Sequence, residues 1–222
     1  MEWYIYETVA LDHHTIGTAT PFLRTIDARP AEFFSQRVKK LYISYSVTFP
    51  EAQRILAVCT GLSQLICWTE SRQNGWLFPY LNPPSDSISH LTHLSIKLEM
   101  TTSENALPSF SDEMYQNLTH LEIVLPPPVN LGIYIDWRSL SDLPCLKHLM
   151  MGDLNSWDHF YLLPVLRSLL DFSLELETLV VVTKQSEMLE ALEAENFDDP
   201  RLVILPRFNL ARGFADVLEE TT

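Results

Sequence analysis

The sequence predicts an α/β fold: an irregular solenoid with a parallel β-sheet on its concave face and helices and loops on its convex face, in about seven to eight repeats. Three observations carry this expectation. The phrase Leu-Thr-His-Leu-x-Ile occurs twice, at residues 91–96 and 118–123, 27 positions apart. The looser pattern L-x-x-L-x-I continues along the chain in both directions. Helical capping and periodicity signals fall between the pattern's copies.

The pattern's units are Val38/Leu41/Ile43, Leu62/Leu65/Cys67, Leu91/Leu94/Ile96, Leu118/Leu121/Ile123, Leu146/Leu149/Met151 and Leu176/Leu179/Val181. Tyr6/Val9/Leu11 fits loosely upstream, and Pro200/Val203/Leu205 keeps the last two apolar positions downstream. Successive starts are 32, 24, 29, 27, 28, 30 and 24 residues apart. A short strand recurring at about 20–29 residues is the signature of leucine-rich repeats; two spacings exceed that range, so the array is irregular. The strands are expected near 6–11, 38–44, 62–68, 91–97, 118–124, 146–152, 176–182 and 201–205. In an extended strand, positions 4 and 6 of each unit face one way and positions 3, 5 and 7 the other. A single unit cannot bury its Leu and Ile alone. Parallel stacking gives them a shared core and requires a crossover after each strand.

The crossovers read as helices where they are long enough. In "TFPEAQRILAVCTG", Thr48 and Glu51 stand at capping-box spacing, Pro50 lies just inside the start and Gly61 past the end. Ala52, Ile55, Leu56 and Cys59 share one helical face. "SWDHFYLLPVLRSLLDF" (156–172) is the second, with Pro164 expected to break it or to start a new helix. "SEMLEALEAENF" (186–197) is the third, with Ser186 as N-cap and Met188, Leu189 and Leu192 turned inward. The intervals 101–117 and 127–144 contain Pro and Ser and allow only short helices or loops. No linker or composition break divides the chain, so one domain over 1–222 is expected.

The stretch "FLRTIDARPAEFFSQRVKKLYIS" (22–44) resembles the fungal F-box/leucine-rich-repeat-like proteins, as do the preceding "YETVAL" (6–11) and the late "DDPRLVIL" (198–205). The resemblance implies the repeat fold and a substrate-recognition role. It departs at two points. Position 9 of the repeat, commonly Asn or Cys, holds Ser46, Glu70, Glu99, Pro126, Leu154 and Lys184, so no Asn ladder and no regular tight horseshoe is expected. The chain also begins at "MEWYIYETVAL", at the first strand, without the helical F-box segment. A ubiquitin-ligase scaffold is therefore expected as a partner only if an F-box lies upstream.

Charge narrows the partners. Fifteen basic against 29 acidic residues leave a net charge of −14. Such a surface repels phosphate, which argues against nucleic acid and anionic membrane. Three cysteines, Cys59, Cys67 and Cys145, make an odd set without metal spacing, as expected in a reducing cytoplasmic or nuclear compartment. No signal-peptide pattern or long apolar run is present. Without a signal peptide the Asn117-Leu118-Thr119 sequon carries no weight.

The candidate sites lie on the face away from the core. Position 3 reads Lys40, Gln64, His93, His120, His148 and Thr178. Strands stand about 4.8 Å apart, so the three imidazoles are expected in a row. They are metal candidates if their nitrogens converge, and otherwise form a solvated ladder whose members hinder one another's protonation. Glu122, facing the same way, is expected to offset part of that repulsion. Positions 5 and 7 include Tyr42, Ile66, Trp68, Lys97, Glu122 and Met150, read here as the partner-binding surface, with Val180 and Val182 beside them. His13 and His14 beside Asp12, the "PPPV" of 126–129, and the acidic run Glu187, Glu190, Glu193 and Glu195 read as a polar turn, a rigid loop and a solvated helix face. There is no G-x-S-x-G, phosphate-binding Gly loop, H-E-x-x-H or C-x-x-C. The expectation is a non-enzymatic protein-binding module without catalytic residues or cofactor; the alternative is a metal-dependent hydrolase or metal-binding protein using the histidines.

Overall fold

The repeated apolar pairs form strands. In the computed structural model, β1 (Thr8–Leu11), β2 (Lys40–Ile43), β3 (Gln64–Cys67), β4 (His93–Lys97), β5 (His120–Val124), β6 (His148–Gly152), β7 (Thr178–Val182) and β8 (Leu202–Leu205) make one open sheet. All pairings are parallel, and strand order follows the sequence. The structure describes residues 6–12, 19–69, 90–97, 110, 115–124, 137–152, 154, 157–173, 175–183, 186–195 and 197–205. His13, His14 and residues 126–129 lie outside them.

The register aligns the repeat as its spacing requires. Leu41, Leu65, Leu94, Leu121, Leu149 and Leu179 form one lateral row, and each is at most 2% exposed. Ile43, Cys67, Ile96, Ile123, Met151 and Val181 form the second buried row. Each such aliphatic side chain contributes roughly 1.5–3 kcal/mol when fully withdrawn from water, which makes these rows the backbone of the core. The leucines that open the units, Leu62, Leu91, Leu118, Leu146 and Leu176, are buried two residues before each strand.

The last strand departs from expectation by one residue. Leu202 pairs with Leu179 and Ile204 with Val181, so Val203 faces outward and is 39% exposed. A one-residue slip exchanges the two faces of a strand. Here the turn before the strand sets the phase. Arg201 donates to Asp199 and to the carbonyls of Leu170 and Ser173, while Leu202 N–H bonds the Asp199 carbonyl at 3.0 Å. The "DDPR" phrase is thus a side-chain staple onto the end of the helix at His159–Phe172.

Five α-helices are described: α1 (Ala19–Ala28), α2 (Ala31–Arg37), α3 (Phe49–Val58), α4 (His159–Phe172) and α5 (Ser186–Ala194), with a 3-10 turn at Trp137–Asp142. Their buried residues join the cluster formed by the two strand rows. In α3, the Glu51 carboxylate accepts the Thr48 backbone N–H at 2.9 Å and its hydroxyl at 2.7 Å, as the capping-box spacing predicts. Helices α1 and α2 went unread in the sequence. They form a corner at Pro30, which disfavours helix in the residue before it and starts α2, where Phe34 is fully buried edge-on to Phe22. Gly61 lies against this corner. A Cβ there would come within 1.9 Å of the Ser35 carbonyl oxygen, so only glycine fits.

Two helical expectations are corrected. Pro164 neither breaks α4 nor begins a new helix. It forfeits one internal hydrogen bond, at a cost of about 3 kcal/mol, while Leu162, Leu166, Leu169 and Leu170 along the same helix are all buried. In α5, Leu192 is buried but Leu189 is 43% exposed, so the expected inward turn holds for Leu192 alone of these two.

Candidate functional site

The face opposite the helices is organised by the repeated Leu-Thr-His-Leu. Each position-2 carbonyl accepts two backbone N–H groups from the next unit: Ser63 O from Thr92 and His93, and Thr92 O from Thr119 and His120. The hydroxyls of Ser63, Thr92 and Thr119 reach the carbonyls of Lys39, Ser63 and Thr92 at 3.1, 3.0 and 3.0 Å. The same Thr92 and Thr119 hydroxyls lie 2.8 Å from Nδ1 of His93 and His120. The duplicated threonine therefore ties adjacent strands together and orients the imidazole that follows it.

The three histidines are brought together as the register predicts. His93 and His120 stack with ring centroids 4.1 Å apart and planes 10° from parallel; His120 and His148 are 4.4 Å apart at 30°. Burial, then the Lys40 and His148 charges, lowers the His93 pKa; burial, then His93 and His148, lowers that of His120 to about 4. Stacking directs the in-plane nitrogen lone pairs of His93 and His120 nearly parallel, whereas a shared metal needs them to converge. No group of three or more His, Cys, Asp or Glu among the described residues is placed to hold a metal ion.

The expected interaction surface is divided. Tyr42, Trp68, Lys97, Met150 and Val180 are half-buried. Ile66 at 6%, Glu122 at 2% and Val182 at 6% exposure are buried, as are Ser95 and Val124, which corrects the expectation that this whole face is open. At its centre the Trp68 indole N–H crosses to the Ser95 hydroxyl at 2.9 Å, and Ser95 in turn donates to Glu122 Oε2. Glu122 Oε1 is buried with no hydrogen-bond partner. Burial, opposed by the Ser95 bond, pushes the Glu122 carboxyl up to about 8. Glu122 is therefore largely uncharged near neutrality and does not offset repulsion among the histidines. Beside it, Gly152 carries no side chain, and a Cβ there would make only ordinary contacts with Val124 and Glu122.

Two of the three thiols are buried. Cys67 occupies its predicted core position, and burial raises its pKa; burial also pushes Cys59 up to about 12. Cys145 is exposed. No helix among the described residues is long and apolar enough to cross a membrane. No protein-family model matches the chain, and no curated protein matches it.

Proposed function

We propose that the chain is a leucine-rich-repeat-like solenoid acting as a non-enzymatic protein-interaction module, and that its partner docks on the histidine-bearing face of the sheet. The observation that carries the reading is the row of half-buried Tyr42, Trp68, Lys97 and Met150 on that face, while the buried residues of the described helices join the opposite, leucine-bearing face. Aromatic and Met side chains that keep part of their surface in water are the residues interface cores favour. Lys97 on β4 and Lys40 on β2 supply cationic points on a chain of net charge −14, which suits a protein partner better than a phosphate backbone. The resemblance of 22–44 to fungal F-box/leucine-rich-repeat-like proteins extends the proposal to the substrate-recognition part of an F-box-type receptor.

Affinity capture tests the face. A Tyr42→Ala/Trp68→Ala double variant is expected to lose the partners that wild type recovers while keeping its circular dichroism spectrum and a cooperative unfolding transition. Unchanged recovery by a folded variant rules the face out.

A further inference from the structure

We propose that Trp68, Ser95 and Glu122 form a proton-linked clasp on the docking face, closed over the Trp68 indole while Glu122 is uncharged and opened when Glu122 ionises. The inference rests on the interaction-face reading, of which it supplies the regulation.

Donor directions follow from the chemistry of the three groups. An indole nitrogen only donates, so Ser95 Oγ accepts from Trp68. Ser95 donates its own hydroxyl hydrogen to Glu122 Oε2. The acid proton of uncharged Glu122 consequently sits on Oε1, the oxygen without a partner. Loss of that proton would leave a buried anion held by one hydroxyl, at a site where burial is the dominant influence on the group. Ionisation is therefore relieved by turning Glu122 out toward water. The bridge to Ser95 is lost, which frees the Ser95 hydroxyl to rotate and weakens its hold on Trp68.

The charged and titratable groups sharing this face are His120 on the same strand, His93 and Lys97 on β4, His148 on β6, and Lys40 and Tyr42 on β2. His93 and His120 are held neutral by their own lowered pKa values, so they offer no compensating positive charge. Lys97 is the fixed cation on the strand paired with that of Glu122, whereas Lys40 lies three strands away on β2. A swing of Lys97 onto ionised Glu122 would keep the clasp shut, and this competing outcome is built into the test. Between the ordinary carboxyl value of 4.5 and the buried value of about 8, opening becomes about ten-fold easier per pH unit.

The experiment is a pH titration of the whole chain labelled with 5-fluorotryptophan, with the Trp68 fluorine resonance assigned by Trp68→Phe. From about pH 5 to about pH 9.5 the Trp68 signal is expected to change from a clasped to a solvent-exposed shift with a midpoint between the ordinary carboxyl value of 4.5 and the buried value of about 8, judged by its H2O/D2O dependence. In Glu122→Gln the transition is expected to vanish, and in Ser95→Ala the signal is expected to be exposed throughout. A wild-type resonance that stays clasped across the range, as a Lys97 pairing would produce, overturns the clasp; so does a transition that persists in folded Glu122→Gln. Because no partner is needed, either negative result leaves the capture test of the docking face standing.

Discussion

Glu122 concentrates the cost of this architecture in one side chain. Its folded pKa lies near 8 against an ordinary 4.5, so the folded chain holds a proton that the unfolded chain releases. The resulting stabilisation is fully present below pH 4.5, declines as pH rises, and is gone above about 8. At pH 7 the unfolded chain has gained about 2.5 pH units of advantage, or on the order of 3 kcal/mol. Glu122→Gln keeps an acceptor for Ser95 and removes the titration. Urea unfolding is expected to show the variant gaining on wild type steadily between about pH 5 and pH 8, by a few kcal/mol at the upper end. Parallel stability curves for the two proteins would mean that Glu122 is ionised in its buried position.

At the scale of adjacent strands, the stacked imidazoles work with the opposite sign. His93 and His120 have folded pKa values below the ordinary 6.5, with His120 near 4. A group of this kind binds fewer protons folded than unfolded. Its stabilising contribution is present above pH 6.5 and is lost as pH falls toward 4. Protonation also relieves the repulsion of a chain at −14, which obscures the effect in wild type alone. A His93→Gln/His120→Gln/His148→Gln variant shares nearly the same charge background. It is expected to lose less stability than wild type between about pH 7.5 and pH 5.5 by chemical denaturation. Equal midpoint shifts would show that the rings titrate as free histidines and are not stacked in solution.

For the molecule as a whole, eight parallel strands share two continuous apolar rows, while 29 acidic and 15 basic residues act over its length. The ion pairs Arg54–Asp27, Lys147–Glu177 and Arg167–Glu195 have side chains about half exposed, and such pairs add little. The dominant long-range electrostatic effect is acidic self-repulsion, which salt screens within about 10 Å at 0.1 M. The thermal midpoint is expected to rise by a few degrees as sodium chloride increases from about 0.02 M to about 0.3 M. A midpoint that falls with salt would assign more stability to the surface ion pairs than their exposure allows.

Alternation and capping are local properties, and what they specify was legible in the chain. The pairs Leu94/Ile96 and Leu121/Ile123 mark strands because period two separates a core face from an outer face, and the shared third position of each unit brings His93, His120 and His148 level. Thr48 and Glu51 mark the start of α3 because the cap is made within one turn. Periodicity says which way a side chain points and nothing of what lies over it. Ile66 and Glu122 point outward as their positions require, yet are buried, and the protonation of Glu122 follows from that burial. The phase of β8 likewise depends on Arg201 reaching carbonyls at the end of α4, some thirty residues earlier, a contact that exists only once the last turns are packed together. Local sequence thus determined the strands, their register through β7 and the histidine row. Burial and charge on the outer face were decided by the tertiary structure, because both depend on neighbours that the chain supplies from far away.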